Sequence, residues 1–389
     1  MPRRTTVIVG GSAAGLSTAE GLRSGGYDGH IVIVGDEFAT PYDRPPLSKQ
    51  ILAGTWPPHQ VALLPPERFT ALKARFLLGT RASGLDVERR QVEIDNGPPL
   101  RYDDLVIATG VRPRTLPGAD LPGVHVLRTM DNAIALRERL LTTGHLAIVG
   151  AGFLGLEVAA TAAALGVGVT VVDPLAAPMV AQLGAAAAQR LAEHHREAGV
   201  DLRTGVSVRE ILENGEAGPA RHVAGIRLGD GSVVTADTVL VAIGCAPAVE
   251  WLEGSALDVR DGVVCDTCCR AAPGVWAAGD VARWRHPGYD REMRLEHRVN
   301  ATEQGLAVGR AIAAGEPRPF APVPYFWTDH GDVRIQVIGT LAGDMHVVAG
   351  DPEGDSFVQR WAIDGVPVGG IAWNAPRAAT RMRAALRRG

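Results

Sequence analysis

Two stretches of the 389-residue chain repeat one local grammar, and this repetition restricts the possible fold more than any other feature. "TVIVGGSAAGLSTAEGL" begins as an apolar strand, turns at Gly10 and continues as a helix from about Ala13. "LAIVGAGFLGLEVAATAAALG" does the same around Gly150, Gly152 and Gly155, with Leu154 between the last two. In such a turn the first glycine makes the tight bend, the second lets the backbone approach a pyrophosphate, and the third lets helix pack on strand. The helix N–H groups and dipole then hold the phosphates. The second copy is complete, whereas the first carries Ser12 at its middle position, followed by Ala14 and Gly15. Each copy also has an acidic residue about twenty positions on, at the end of the next strand. These are Asp36 in "HIVIVGDE", with Glu37 as a neighbouring candidate, and Asp173 in "VTVVD". A carboxylate there accepts hydrogen bonds from ribose hydroxyls. One glycine-rich turn is a weak signal, but two full constellations predict two bound dinucleotides.

The remaining composition narrows the class. With 46% hydrophobic and 21% charged residues and a formal net charge of −4, the chain reads as an ordinary globular protein of two or three domains. The mild acidity and the lack of a basic block argue against a nucleic-acid binder. Cys245, Cys265, Cys268 and Cys269 are too few for a disulfide framework and fit a reducing cytosol, so the expected location is cytoplasmic. Cys265 and Cys268 lack a second Cys/His pair at ligand spacing, and no metal site is expected. The apolar run behind the N-terminal arginines has only a strand's length, unlike a signal peptide. Residues 147–172 are nearly uncharged over a bilayer's thickness. With Glu157 in the middle, five glycines and β-rich ends, they read instead as strand–turn–helix–strand.

Further along, "YDDLVIATGVRPR" and "APGVWAAGDVARW" each give a strand ending in a small-residue turn, at Thr109–Gly110 and at Gly279–Asp280. With the first glycine turn, these segments resemble the FAD domain of the two-dinucleotide flavoprotein reductases. The resemblance implies that Asp280 contacts the ribityl chain of FAD and that the second turn, with Gly244, holds NAD(P). It also implies an inserted nicotinamide domain, and the second turn does lie between "ATG" at 108–110 and "AAGD" at 277–280. The expected fold is therefore α/β, with two Rossmann-like domains of the glutathione-reductase type and a small α+β C-terminal domain. Residues 1–112 and 245–318 are expected to form the FAD domain, 113–244 the NAD domain and 319–389 a C-terminal interface domain.

Residues 41–49, "PYDRPPLSK", lie where a disulfide reductase would carry its reactive cysteine pair, yet no cysteine occurs before Cys245. Together with "HLAIVGAGFLGLEVAA", "LEHRVNATEQG" and "PYFWTD", this segment resembles the putidaredoxin-reductase-like NADH:ferredoxin reductases of cytochrome P-450 and Rieske oxygenase systems. The resemblance runs from residue 5 to about residue 376. It implies FAD and NADH as cofactors and an iron–sulfur ferredoxin, docked transiently by charge, as partner. A terminal oxygenase is then an indirect partner, a rubredoxin-type acceptor is an alternative, and the protein is a monomer or weak dimer without nucleic-acid or membrane contacts. The chemistry agrees: without a dithiol, electrons that arrive as a hydride must leave singly, and a [2Fe–2S] protein takes one at a time.

The same likeness places Lys49 near the flavin N5. Glu157, costly inside an apolar helix unless paired, is expected to pair with Lys49 at the nicotinamide–flavin contact. Trp327 matches a tryptophan near the flavin edge, and the helix that begins near Val299 is expected to point its N-terminus at the flavin N1/O2. Ala82, Arg298 and Val299 join the flavin-binding set. Arg44 and Arg128 are read either as contacts to the FAD pyrophosphate or adenine or as surface arginines. Three departures stand out: Arg298 where relatives usually have tryptophan; Thr328, His330 and Gly331 where they commonly have Ser, Gln and Tyr; and an early C-terminal stop. All three are expected near the acceptor face, where Arg298, Arg334 and the terminal Arg377, Arg381, Arg383, Arg387 and Arg388 would supply positive charge. The rival readings are an NADH oxidase, peroxidase or disulfide reductase, and a redox-sensing binding protein resembling apoptosis-inducing factor.

Overall fold

The computed structural model describes residues 3–214 and 221–387. Among the described residues there are eight α-helices: α1 (Ala13–Ser24), α2 (Gln50–Ala53), α3 (Pro66–Ala71), α4 (Met130–Leu140), α5 (Phe153–Ala164), α6 (Val180–Glu197), α7 (Arg298–Ala314) and α8 (Pro376–Leu386). The chain forms two compact units. One comprises Met1–Asp43, Val61–Arg112 and Ala246–Pro322; the other comprises Arg44–Gln60, Pro113–Cys245 and Val323–Gly389.

The first unit is organised around a six-stranded sheet in the order Arg270–Ala272, Val275–Ala277, Asp104–Ile107, Thr5–Val9, His30–Gly35, Arg75–Leu78. Thr5–Val9 pairs in parallel with both His30–Gly35 and Asp104–Ile107. Val7, Ile8, Ile33, Leu105 and Ile107 are fully buried. Covering on both faces is what a parallel strand requires, and it explains why these segments read as unbroken apolar runs rather than alternating ones. Helices α1 and α7 pack backbone to backbone: a Cβ at Gly305 or Gly309 would collide with the carbonyl oxygens of Ala14 or Thr18.

The second unit has a five-stranded parallel sheet in the order Asp201–Thr204, Gly168–Asp173, His145–Val149, Thr238–Val241, Val124–His125. The apolar run 147–172 is strand, α5 and strand inside this unit, and no helix among the described residues is long and apolar enough to cross a membrane. The same unit holds a five-stranded antiparallel sheet in the order Tyr325–His330, Val333–Gly339, Val366–Trp373, Phe357–Ile363, Asp344–Gly350. Helix α8 closes one face of it, packing Ala379, Met382 and Leu386 near Ile338 and Ala372. The expected α/β architecture with a small α+β C-terminal part is the architecture observed.

Candidate active site and its nucleotide cradles

The two glycine turns are built alike. Gly10 donates to the Val34 carbonyl and Gly150 to the Val172 carbonyl, each at 2.8 Å. Both glycines have a positive φ, +120° and +107°, and a Cβ on either would collide with a backbone carbonyl, that of Ala108 or that of Ala242. A Cβ at Gly15 or Gly155 would likewise collide with the carbonyl of Gly10 or Gly150. No other residue type closes these bends at so little cost.

The helices that follow are left uncapped. Ser12 before α1 and Gly152 before α5 make no side-chain capping bond, and neither first turn holds an acidic residue. By contrast, α4 has a full capping box between Thr129 and Asn132. The first N–H groups of a helix need acceptors, and at α1 and α5 no side chain among the described residues caps them. A Cβ at Gly152 would meet nothing within 4 Å, and one at Gly11 nothing nearer than 3.7 Å, so each turn has room for a phosphate group to approach. The residues present therefore fit two dinucleotides. FAD at the first turn would be held by the 10–15 backbone and α1, and NAD(H) at the second by 150–155 and α5. Leu154 is half-buried in the first turn of α5, and Gly244, with φ +86°, also has open space around it.

The acidic residues that follow the two turns differ in their surroundings. The Asp173 carboxylate accepts from the backbone N–H of Ala151 at 2.7 Å and of Leu175 at 2.8 Å. Asp36 is exposed and lies 3.6 Å from Arg112, which also reaches Glu250 at 3.7 Å. Glu37, the neighbouring candidate, accepts from the Tyr42 hydroxyl instead.

Within the first unit, Gly279 has φ +80° and its N–H donates to Gln304 Oε1 at 2.8 Å. A Cβ there would come within 2.8 Å of Ala14, so this glycine sets the approach of the "AAGD" turn to α1. Thr109 donates to the Ala248 carbonyl at 2.7 Å, and Gly110, at φ +69°, accepts from the Ala248 N–H. Ala82 is buried on the strand Ala82–Asp86, and Asp280 and Val299 are half-buried. The His297 imidazole is pushed down to about 4 by burial, with the Asp280 charge acting in the opposite direction. Arg298 is tied to Asp43 and to Thr302 on its own helix, which offsets its charge.

In the second unit, Lys49 lies between the 3-10 turn Pro45–Ser48, opened by two prolines, and α2. Its ammonium is 2.7 Å from Glu157 Oε2, which also accepts from the Ser48 hydroxyl at 2.5 Å. The other oxygen of Glu157 accepts from the Thr328 hydroxyl at 2.9 Å and from the Asp329 N–H at 3.3 Å. Four donors surround a carboxylate that is 8% exposed, which is how a buried acid is accommodated. Thr161, one turn along α5, donates to the Ser48 carbonyl at 2.8 Å and holds the segment bearing Lys49 against that helix. Arg44 donates to the Arg128 carbonyl just before α4. Trp327 is half-buried, with its ring 6.2 Å from that of Tyr325.

Sequence reasoning missed Ser48, Thr328 and Asp329 as partners of Glu157; only the departures at Thr328 and His330 hinted at them. Of the arginines expected at an acceptor face, Arg334 pairs with Asp329 at 2.5 Å and Arg383 lies 4.6 Å over the Tyr325 ring. Arg377, Arg381 and Arg387 are exposed, and Arg388 lies outside the described residues. Cys265 and Cys269 are buried; burial pushes the Cys265 thiol far up and that of Cys269 to about 12. Among the described residues no three His, Cys, Asp or Glu side chains are placed to hold a metal ion.

The profile of the pyridine nucleotide-disulphide oxidoreductases matches residues 4–305, and that of the reductase C-terminal domain matches residues 325–389. The chain belongs to the pyridine nucleotide-disulphide oxidoreductases, on the branch of the ferredoxin reductases. It is 37% identical over 355 residues to rhodocoxin reductase of Rhodococcus erythropolis, covering 90% of this chain and 82% of that one. It is 36% identical over 377 residues to the ferredoxin–NAD(+) reductase component of the p-cumate 2,3-dioxygenase system of Pseudomonas putida, covering 95% and 90%. The crystal structure of the covalent putidaredoxin reductase–putidaredoxin complex matches with a TM-score of 0.92 at 32% identity, covering 99% of this chain and 93% of that one. The glutathione-reductase type of fold thereby follows. Enzymes of this family use FAD and NAD(H), the pair that the two turns accommodate.

Proposed function

We propose that this protein is an NADH:ferredoxin oxidoreductase that delivers single electrons to a [2Fe–2S] ferredoxin serving a cytochrome P-450 monooxygenase. The observation that carries the reading is the buried Lys49–Glu157 pair in the segment where a disulfide reductase has its dithiol, in a chain with no cysteine before Cys245. Bound FAD supplies the conversion of a two-electron hydride into two separately released electrons. Lys49 brings a positive charge to the hydride-transfer step, and Glu157 holds that charge in place. The turn at 150–155 and the N-terminus of α5 orient the dinucleotide phosphates, and Asp173 selects NADH by repelling a 2′-phosphate. Trp327 borders the flavin edge, and the exposed arginines of α8 meet an acidic ferredoxin. The protein works in the cytoplasm as a monomer or weak dimer, and its contact with the ferredoxin is transient.

Stopped-flow reduction of the flavin by NADH tests the site. Lys49→Ala and Glu157→Ala should each slow it by roughly tenfold to a hundredfold, the scale of losing one positioned polar group. The double variant should be far from additive. Bleaching at the wild-type rate in both single variants would show that the pair has no part in the step.

A further inference from the structure

Behind Glu157 lies a buried chain of side chains that hydride transfer does not itself require. Thr328 and His330 come from the strand Tyr325–His330 and His195 from α6, and all three are fully buried. The Thr328 hydroxyl is 2.9 Å from Glu157 Oε1 and 3.0 Å from His330 Nε2, and His330 Nδ1 is 3.3 Å from His195 Nε2.

The direction of each bond follows from the chemistry of the groups. A carboxylate only accepts, so Thr328 donates to Glu157. With its one proton committed, the hydroxyl oxygen accepts from His330 Nε2–H. A neutral imidazole carries one N–H, so His330 Nδ1 accepts from His195 Nε2–H. The chain then ends at His195 Nδ1, a lone pair with no hydrogen-bond partner among the described residues. Every donor points towards Glu157.

We propose that His330 and His195 are positioning residues, which lock the Thr328 hydroxyl onto Glu157 and through Glu157 hold the Lys49 ammonium in its working position. This rests on the role given above to Lys49 and Glu157. Burial keeps both rings neutral: it pushes His195 down to about 3 and His330 well below its ordinary value. Among the described residues the charged or polar groups facing His330 are the Thr328 hydroxyl, Lys49, His194, His195 and the Leu156 carbonyl. His194 bonds the His330 carbonyl at 3.0 Å and lies 3.8 Å from the exposed Asp332, while Asp329 is occupied by Arg334. Of the groups that shift the proton affinity of the His330 ring only the Leu156 carbonyl raises it, and that carbonyl competes with the Thr328 oxygen for the ring N–H.

The test has two readouts. In holoprotein labelled with 15N-histidine, long-range NMR correlations should show His195 and His330 as neutral Nε2–H tautomers from pH 8 down to pH 5. An Nδ1–H tautomer at His330, drawn to the Leu156 carbonyl, would turn Thr328 towards the imidazole and overturn the proposal whatever the catalytic result. Then His330→Leu should slow flavin reduction by NADH several-fold with an unchanged KM for NADH and move the flavin midpoint potential to a more negative value. His330→Gln, which keeps an N–H donor, should restore most of both. If His330→Leu does not fold, His195→Leu serves instead, because it frees the His330 tautomer and should lower the rate in the same way. Wild-type rate and potential in these variants, alongside a slow Lys49→Ala, would overturn the positioning role and leave the hydride-transfer reading standing. Wild-type rates in Lys49→Ala as well would remove that reading, and this proposal with it.

Discussion

The turns at 10–15 and 150–155 share one frame and finish differently. Each has a glycine at positive φ bonded to the neighbouring strand at 2.8 Å, a glycine pressed on the first, and a helix without a side-chain cap. The middle position is Ser12 in one and Gly152 in the other. Beyond the turn, Asp173 is pinned by two backbone N–H groups, whereas Asp36 is exposed and, among the described residues, is met by the more distant Arg112. The turn follows from backbone geometry and is common to both copies, while the surroundings of the carboxylate beyond it are set by side chains and are free to diverge. A nucleotide that exchanges in every turnover gains from a pinned, discriminating carboxylate; a resident cofactor does not need one.

The largest effects should come from the shared frame. Gly10→Ala and Gly150→Ala force a Cβ into a backbone carbonyl at positive φ, so each should cost at least about 1–3 kcal/mol of stability. Differential scanning calorimetry reads that loss, and Gly10→Ala should also release FAD. If either variant melts like the wild type, the common frame is not what holds the turns.

Gly152→Ala separates grip from frame. Its Cβ enters open space at φ −79°, so stability should stay within about 0.5 kcal/mol. The side chain would occupy the room kept for the pyrophosphate, and KM for NADH should rise about tenfold, on the order of 1.4 kcal/mol. Gly152→Ser copies the first turn and should fall between the two. An unchanged KM in both variants would mean that the pyrophosphate does not approach there.

The ribose ends should give the smallest effects. NADH should be preferred over NADPH by at least about tenfold in kcat/KM, and Asp173→Ala should narrow that gap several-fold. Because Asp173 also carries two backbone bonds, the same variant should lose roughly 1–3 kcal/mol of stability. Asp36→Ala should leave stability nearly unchanged and weaken FAD retention only a few-fold, measured as flavin lost on dialysis. Equal stability losses at the two positions would break the contrast.

Much of this was legible in the sequence because the relevant signals are local. The bends at Gly10 and Gly150 depend on residues within one turn, and the fully buried strands announce themselves as apolar runs. That Glu157 needs a partner could be inferred from a carboxylate inside an apolar helix. The identity of its other donors could not, since Thr328 and Asp329 reach it from a strand more than 170 positions away, and the rings behind Thr328 come from that strand (His330) and from a different helix (His195). A paired arginine is equally invisible in one dimension. Arg298 reads as a free surface charge in "LEHRVN", yet its guanidinium meets Asp43. Cys269 reads only as one of four cysteines too few for a disulfide framework, yet it accepts from Gln304, whose other end holds Gly279 at 2.8 Å.

Passage of electrons from NADH to a ferredoxin without any thiol is read most directly in a protein stripped of its clustered cysteines. The triple variant Cys265→Ala, Cys268→Ala, Cys269→Ala, loaded with FAD, is assayed for NADH-driven reduction of a panel of [2Fe–2S] ferredoxins, with a disulfide substrate in parallel. Ferredoxin turnover should stay within about twofold of wild type, with two ferredoxins reduced per NADH, no disulfide reduction, and a modest stability loss of roughly 1 kcal/mol from the stranded Gln304 amide. A folded, FAD-loaded variant that no longer reduces any ferredoxin, or a wild-type protein that reduces the disulfide in preference, would contradict electron transfer without a thiol.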